Sequence, residues 1–276
     1  MSVITVADIG INHNADVNIA KRLIDVARGA GVDYVKFQKR TPEICVPEDQ
    51  KNILKDTPWG MMTYIDYRDK MEFGKKEYDE IARYCEFNGM KFFFSVWDED
   101  SANFVARYNN DFIKIPSACI TDGGLMAKCD KTGIPLIMST GACNWKTIDN
   151  ALCVFNSPSY ILHCVSTYPA KPEEHNLNAI PAMKDRYPFS KIGFSNHYPG
   201  ILYIPVAVAL GADMVEWHVT LDRSMWGTDQ AASIEPEGTF KIMKYIRDVE
   251  AGMGNGEKTI LDREQPIMAK LRRYAA

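Results

Sequence analysis

Short apolar runs alternate along this chain with amphipathic stretches. Residues 3–9 (VITVADI) have the makeup of a strand. Over 16–30, Ile19, Leu23, Val26, Ala27 and Ala30 recur at helical spacing, and Gly31 stands where a left-handed cap would end the helix. A second strand is predicted at 33–38 (DYVKFQ). Residues 39–74, rich in Pro, Asp and Trp, predict a long loop of the kind that carries function or local helices. The alternation then becomes regular. Helices are predicted at 75–89, 99–108, 122–132, 145–155, 176–186, 200–210 and 236–251, with a last short one near 263–273. Strands are predicted at 91–96, 111–116, 134–139, 159–165, 191–195 and 213–219.

Eight strand–helix pairs without a break in composition predict an α/β fold with a parallel sheet. Eight such units in about 250 residues are the arithmetic of a (β/α)8 TIM barrel, here a single domain over residues 1–276. A doubly wound open sheet is the structural alternative. The composition, 46% hydrophobic and 25% charged, is that of a globular protein. A net charge of −4 argues against a general nucleic-acid binder. Apolar runs stay shorter than the roughly 18 residues that a membrane span needs. Seven cysteines, an odd number without CxxC spacing, suit free thiols better than a disulfide framework. The N-terminus shows no secretory signal pattern, so a cytoplasmic protein is expected.

In a barrel of this type the chemistry belongs at the C-terminal ends of the strands. The polar residues predicted there are Asp8, Lys36, Gln38, Ser95, Lys114, Ser117, Ser139, Ser166, Ser195, His197, Glu216 and His218. Lys36 and Gln38 are two apart and share a strand face, as do Glu216 and His218. A lysine inside a strand is costly unless paired or used, and here it occurs twice. Lys36 and Lys114 with the four hydroxyls of Ser95, Ser117, Ser139 and Ser195 make an anion pocket, suited to a phosphate and a carboxylate on one small molecule. The bland alternative is two lysines that snorkel to water.

His197 and His218 end neighbouring strands and can share a divalent metal, with Glu216 and Asp229 as further ligands directly or through water. Asp8 could orient a substrate hydroxyl, handle a proton or simply cap a loop. His13 faces the same choice, and His163 reads as a satisfied core histidine. Trp59 and Tyr64 could cover a ligand or pack locally.

Eight segments in order, ADIGINHN, VKFQKR, FIKIPS, LIMSTGA, LHCVSTYP, IGFSNH, ALGADMVEWHVTLD and WGTDQAASIEP, resemble the sialic acid (N-acetylneuraminate) synthase family over about residues 4–270. PWGMMTYIDYRDKMEF also resembles the vertebrate and legionaminic-type members. The resemblance implies a transferase that condenses phosphoenolpyruvate with an N-acetylmannosamine-like aldehyde. The product is a nine-carbon 2-keto-3-deoxy acid, and phosphate is released. It implies Mn2+, or Mg2+ or Co2+ in its place, on His197 and His218. Phosphoenolpyruvate contacts fall at Lys36, Ser95, Lys114, Ser117, Ser139, Ser166 and Ser195, and sugar contacts near Asp8, Gln38 and Asp229. The implied chemistry has the metal polarise the aldehyde while C3 of phosphoenolpyruvate attacks it. Water then captures C2, and the adduct expels phosphate. A homodimer is implied as well, with neither nucleic acid nor membrane as partner.

Three departures qualify the resemblance. The family's C-terminal antifreeze-like domain, which lends an arginine to the acyl group of the sugar, is expected to be missing, because the chain reads MAKLRRYAA where it would begin. The acceptor would then lack an N-acetyl group, or another protein would supply the lid. Cys119 stands where the family has a carboxylate. Asp8 replaces Glu and Trp217 replaces Arg, changes expected to bear on the sugar subsite. The competing readings are an enzyme like 3-deoxy-octulosonate 8-phosphate synthase, a metal-dependent aldolase or isomerase, and a catalytically silent homologue that binds a partner.

Overall fold

The computed structural model describes residues 2–154 and 158–274, so the end of the helix expected over 145–155 lies outside the described residues. Eight parallel strands form the barrel: β1 (Ile4–Gly10), β2 (Tyr34–Lys39), β3 (Lys91–Val96), β4 (Ile113–Ile115), β5 (Leu136–Ser139), β6 (Tyr160–Cys164), β7 (Lys191–Asn196) and β8 (Met214–His218). They pair in sequence order, and β8 closes on β1 through the register Val6↔Glu216 and Asp8↔His218. Parallel neighbours need a crossover, and helices on the outside supply it. The expected (β/α)8 barrel is therefore the fold.

Side chains alternate along each strand, so every second residue enters the barrel. The lower interior layer is Val6, Tyr34, Phe93, Phe112, Ile137, Leu162 and Met214, with Tyr160 beside them. Its aromatic rings meet edge to face, Tyr34 on Phe112 at 5.6 Å and Phe112 on Tyr160 at 5.7 Å. Gly193 completes the layer because nothing larger fits. A Cβ there would collide with Leu162 and lie 2.5 Å from the Met214 carbonyl oxygen. Two residues further along each strand, about 6.6 Å higher, the interior becomes Asp8, Lys36, Ser95, Lys114, Ser139, Cys164, Ser195 and Glu216.

The outward faces, among them Ala7, Ile9, Phe37, Phe94, Phe194 and Trp217, form the main core against the helices. The helix Val17–Ala30 shows the local logic. Asp16 caps it by accepting from the Asn18 backbone N–H at 2.7 Å, and Gly31 ends it at φ 79°. Its buried face is Ala20, Leu23, Ile24 and Ala27. Ile19 and Val26, expected on that face, are only half-buried, because the apolar stripe is centred nearer Ile24 than the spacing suggested.

The stretch 39–74 is more ordered than a loop. It holds a short helix Pro42–Cys45, a two-stranded hairpin Leu54–Thr57 with Gly60–Thr63, and a helix Tyr64–Met71. The hairpin turns on Pro58–Trp59, where Thr57 Oγ1 donates to the Gly60 carbonyl at 2.7 Å and Gly60 takes φ 97°. Tyr67 and Met71 of the last helix pack on Ile11 and Trp226 at the barrel mouth.

Candidate active site

The upper interior layer opens into a cavity of about 180 Å3. Asp8, Lys36, Gln38, Ser95, Lys114, Ser117, Ser139, Ser166, Ser195, His197, Glu216 and His218 all line it. One fact of backbone geometry collects them: each lies within the last four residues of a barrel strand or a residue or two beyond it. Of the expected site residues, Asp229 is not among the lining. It sits half-buried in the loop after β8 and accepts from Thr228 Oγ1 at 2.9 Å.

The two lysines do not snorkel to water. Lys36 donates to Asp8 Oδ2 at 2.6 Å and lies 3.6 Å from Glu216 Oε1. Lys114 donates to Glu216 Oε1 at 2.5 Å, and Ser195 Oγ donates to the same oxygen at 2.9 Å. All four ionised groups are almost fully buried. Burial pushes the Lys36 ammonium down, but the Asp8 and Glu216 carboxylates outweigh it and its pKa is raised. In Lys114 burial wins over Glu216 and the pKa is lowered. Burial raises the Glu216 carboxyl, yet Lys114 and Lys36 together hold it well below the usual range. The cluster is two cations against two anions, so the ligand-free mouth is close to neutral.

His197 and His218 face each other with ring centroids 5.5 Å apart. Burial, with His218 as a second cause, holds His197 at about 3, so its imidazole is neutral. Its Nδ1 lies 2.5 Å from the Val165 carbonyl oxygen, which can only accept, so Nδ1 carries the proton and Nε2 carries the lone pair. Tyr168 O–H points at that lone pair from 3.0 Å. A carbonyl that fixes the tautomer of a neutral histidine is the usual support of a metal ligand. His218 Nδ1 and Asp8 Oδ1 are buried without a partner among the described residues, and His218 Nδ1 lies 3.4 Å from Asp8 Oδ2. These donors suit a divalent ion. Among the described residues no cluster of three or more His, Cys, Asp or Glu has metal-holding spacing.

A third corner is built from β5 and its neighbours. Gly141 N donates to Ser117 Oγ at 2.9 Å, and a Cβ on Gly141 would collide with Ser166 Oγ. Ser139 Oγ, buried, has no partner among the described residues. Small residues here keep open a space walled by hydroxyls.

Sequence reasoning missed Trp97, Cys164 and Tyr168 in the lining. Tyr168 and Trp97 lie just past β6 and β3, the place where their position alone could have flagged them. The departures also resolve. Trp217 points outward into the main core and does not reach the sugar side, because it alternates with Glu216 and His218. Cys119 lies outside the lining, its Sγ donating to the Trp97 carbonyl at 3.7 Å. Burial pushes its thiol up to about 12, which makes it a neutral packing group. His163 Nε2 donates to the His175 carbonyl, 2.7 Å away, as a satisfied histidine should. Trp59 packs edge-on against Trp226 at 6.1 Å.

Fold and site together define a (β/α)8-barrel protein with a closed ion cluster, an imidazole pair and a hydroxyl-lined recess at the strand ends. The chain belongs to the NeuB family, whose model matches residues 23–258. The N,N'-diacetyllegionaminic acid synthase of Legionella pneumophila is 33% identical, over 99% of this chain and 79% of that protein. The human N-acetylneuraminate-9-phosphate synthase is 33% identical, over 96% of this chain and 75% of its own length. The crystal structure of N-acetylneuraminic acid (sialic acid) synthetase from Leptospira borgpetersenii superposes with a TM-score of 0.86 at 30% identity, covering 99% of this chain and 94% of that one. A truncated 3-deoxy-D-arabino-heptulosonate 7-phosphate synthase from Thermotoga maritima reaches a TM-score of 0.64 at 14% identity, a likeness of fold alone. The octulosonate-type reading is therefore dropped, since relatedness in sequence runs to the nonulosonic acid synthases.

Proposed function

We propose that this protein condenses phosphoenolpyruvate with a sugar aldehyde, giving a 2-keto-3-deoxy acid of the nonulosonic type and inorganic phosphate. The observation that carries the reading is the pair of buried lysines, each held by a carboxylate, in one small cavity with a recess of serine hydroxyls. A three-carbon enol phosphate presents a carboxylate and a phosphate a few ångströms apart, and this wall offers donors for both. In the reading, Lys36 and Lys114 meet the anionic groups, with Ser95 and Ser195 beside them. Ser117, Ser139, Ser166 and the Gly141 corner enclose the phosphate. Gln38, Asp8 and Tyr168 face the acceptor, and Asp229 stands behind them at the rim.

Glu216 serves as counter-ion to the lysines. A carboxyl held so far below its usual range by Lys114 and Lys36 is a weak base, so proton transfer at pH 7 belongs elsewhere. Asp8 Oδ1 is the better placed acceptor, being buried and unpartnered among the described residues. His197 and His218 would hold a divalent ion, Mn2+ or one like it, and when bound it supplies Lewis acidity toward a carbonyl oxygen. The reaction needs C3 of phosphoenolpyruvate to bond the aldehyde carbon, water to add at C2, and the C2–phosphate bond to the leaving group to break. The lysines and hydroxyls can hold the departing phosphate through that sequence. A homodimer working in the cytoplasm completes the proposal, supported by the family resemblance and by seven free cysteines. Among the described residues no helix is long and apolar enough to cross a membrane.

The test is to incubate the purified protein with Mn2+, phosphoenolpyruvate and a panel of aldoses, with and without N-acetyl and phosphate groups. Phosphate release coupled to a 2-keto-3-deoxy acid is expected with at least one sugar, which names the acceptor. His218→Ala is expected to abolish both turnover and metal binding while the circular dichroism spectrum stays unchanged. Metal bound, with no sugar turned over, would instead favour a silent partner-binding homologue.

A further inference from the structure

Arg40 lies two residues beyond Gln38, just past the end of β2, and its side chain is buried. Three groups hold the guanidinium. Its Nε is 3.1 Å from Glu72 Oε1, an ion pair by distance whose angle does not make a hydrogen bond, its Cζ is 4.4 Å from the Trp97 ring, and one terminal N–H donates to Gln38 Oε1. Glu72 is itself anchored, accepting from the Arg40 backbone N–H and from Lys39 Nζ, each at 3.2 Å. Glu72 caps the C-terminus of the helix Tyr64–Met71, so the inserted stretch 39–74 grips this arginine from behind.

A guanidinium has donors only. It can face the oxygen of the Gln38 amide and not the nitrogen, so it decides which way that amide points. Gln38 Nε2 is thereby turned toward Gly10, lying 3.1 Å from the place a Cβ would occupy there. Asp8 Oδ1 lies 3.4 Å from the same place and is buried without a partner among the described residues. A donor and an open acceptor thus flank one gap, the arrangement that takes a hydroxyl by its lone pair and its proton at once. Trp97, on which the guanidinium stacks, lines the same cavity. Cys119, where the resemblance leads one to expect a carboxylate, donates to the carbonyl of Trp97, the residue on whose ring the guanidinium stacks. A carboxylate in that place would compete with Gln38 for the guanidinium, and a neutral thiol does not.

We infer that Arg40 is a positioning residue for the acceptor end of the cavity: it holds Gln38 with its amide N–H groups committed to a hydroxyl-bearing ligand beside Asp8. The inference deepens the proposed function, and its kinetic arm rests on that reading. Without Arg40 the Gln38 amide is free to turn over about its last torsion, which has two nearly equivalent settings. Half of its orientations would then present a carbonyl oxygen beside the Asp8 carboxylate.

Two measurements test it. Crystal structures of the wild type and of Arg40→Met are compared first, which requires no substrate. Arg40 on Gln38 Oε1 in the wild type, and a turned or split Gln38 amide in the variant, are expected. Kinetics follow with Mn2+, phosphoenolpyruvate and N-acetylmannosamine, or whichever aldose the panel identifies, as the probe. Arg40→Met is expected to raise the KM for the aldose about tenfold and to leave that for phosphoenolpyruvate within about twofold. Arg40→Lys, which keeps the charge but loses the planar fork, should fall between. Arg40→Met should add nothing to Gln38→Ala, because both remove the same oriented amide. A wild-type crystal with the guanidinium turned away from Gln38 overturns the inference, as do additive penalties or an equal rise in the KM for phosphoenolpyruvate. If the wild type turns over no aldose, the synthase reading falls, and the crystallographic comparison decides the role of Arg40 by itself.

Discussion

The lower and upper layers of the barrel interior come from the same strands, one pleat apart, yet they do opposite work. Tyr34 is followed two residues on by Lys36, Phe93 by Ser95, Phe112 by Lys114, and Met214 by Glu216. Below, apolar side chains and aromatic edges fill the space. Above, four ionised groups are buried as deeply, and they are tolerable because each cation lies on a carboxylate. The difference teaches that burial alone does not distinguish a core from a site. What distinguishes them is whether the buried groups have somewhere left to bind: Phe93 and Ile137 are satisfied by their neighbours, whereas Asp8 Oδ1, Ser139 Oγ and Glu216 Oε2 have no partner among the described residues.

The sharpest break in that comparison is Lys114→Met. It removes a donor from the upper layer and leaves Glu216 with the Ser195 hydroxyl and a single cation 3.6 Å away. Turnover should fall by about 10²–10³-fold, and chemical denaturation should show a loss of stability approaching the roughly 3–5 kcal/mol of a broken buried pair. Removing Glu216 as well, as Lys114→Met with Glu216→Leu, should recover most of that stability and none of the activity. Were the double variant as unstable as the single one, the ion pair would not be the cause.

Phe93→Ala probes the lower layer and should do the reverse. It should cost about 3–5 kcal/mol, while kcat/KM of the molecules that remain folded stays within about twofold. A kinetic loss matching that of Lys114→Met would show that the two layers are not separable. A smaller effect belongs to acid. Although burial pushes the Glu216 carboxyl up, Lys114 and Lys36 hold it below the value near 4.3 that it has when unfolded. Its contribution to stability is therefore complete above about pH 4.3 and is lost as pH falls through the lowered native value. The stability gap between wild type and Glu216→Gln should narrow as the solution is acidified from pH 5, and a constant gap would contradict the pairing. Smallest of all, Lys244→Ala removes an exposed pair with Asp248 on an outer helix and should change stability by no more than about 0.5 kcal/mol.

Much of this was open to reading along the chain. Strand β3 falls at Lys91–Val96, as its apolar run predicts, and the shared faces of Lys36 with Gln38 and of Glu216 with His218 follow from alternation. The hairpin of 54–63 was not readable, because LKDTPWGMMT lacks a clear alternation and neighbouring residues on both faces of each strand are exposed. The role of Arg40 was equally hidden, since nothing near it in the chain announces that Glu72 and Trp97 will enclose it. Asp229 lies outside the cavity lining, because its position depends on how the loop after β8 turns back.

The sequence by itself determined the barrel strands, most of the helices and which strand residues share a face, because alternation and amphipathic spacing are local properties of the backbone. Only the tertiary structure decided who meets whom across the interior. Lys114 and Glu216 are separated by 102 residues, yet closure of the barrel sets them in contact. The same closure turns Tyr168 onto His197 and leaves Trp217 outside. The shape of a cavity and the pairing of its charges come from that long-range geometry, which no window along the chain contains.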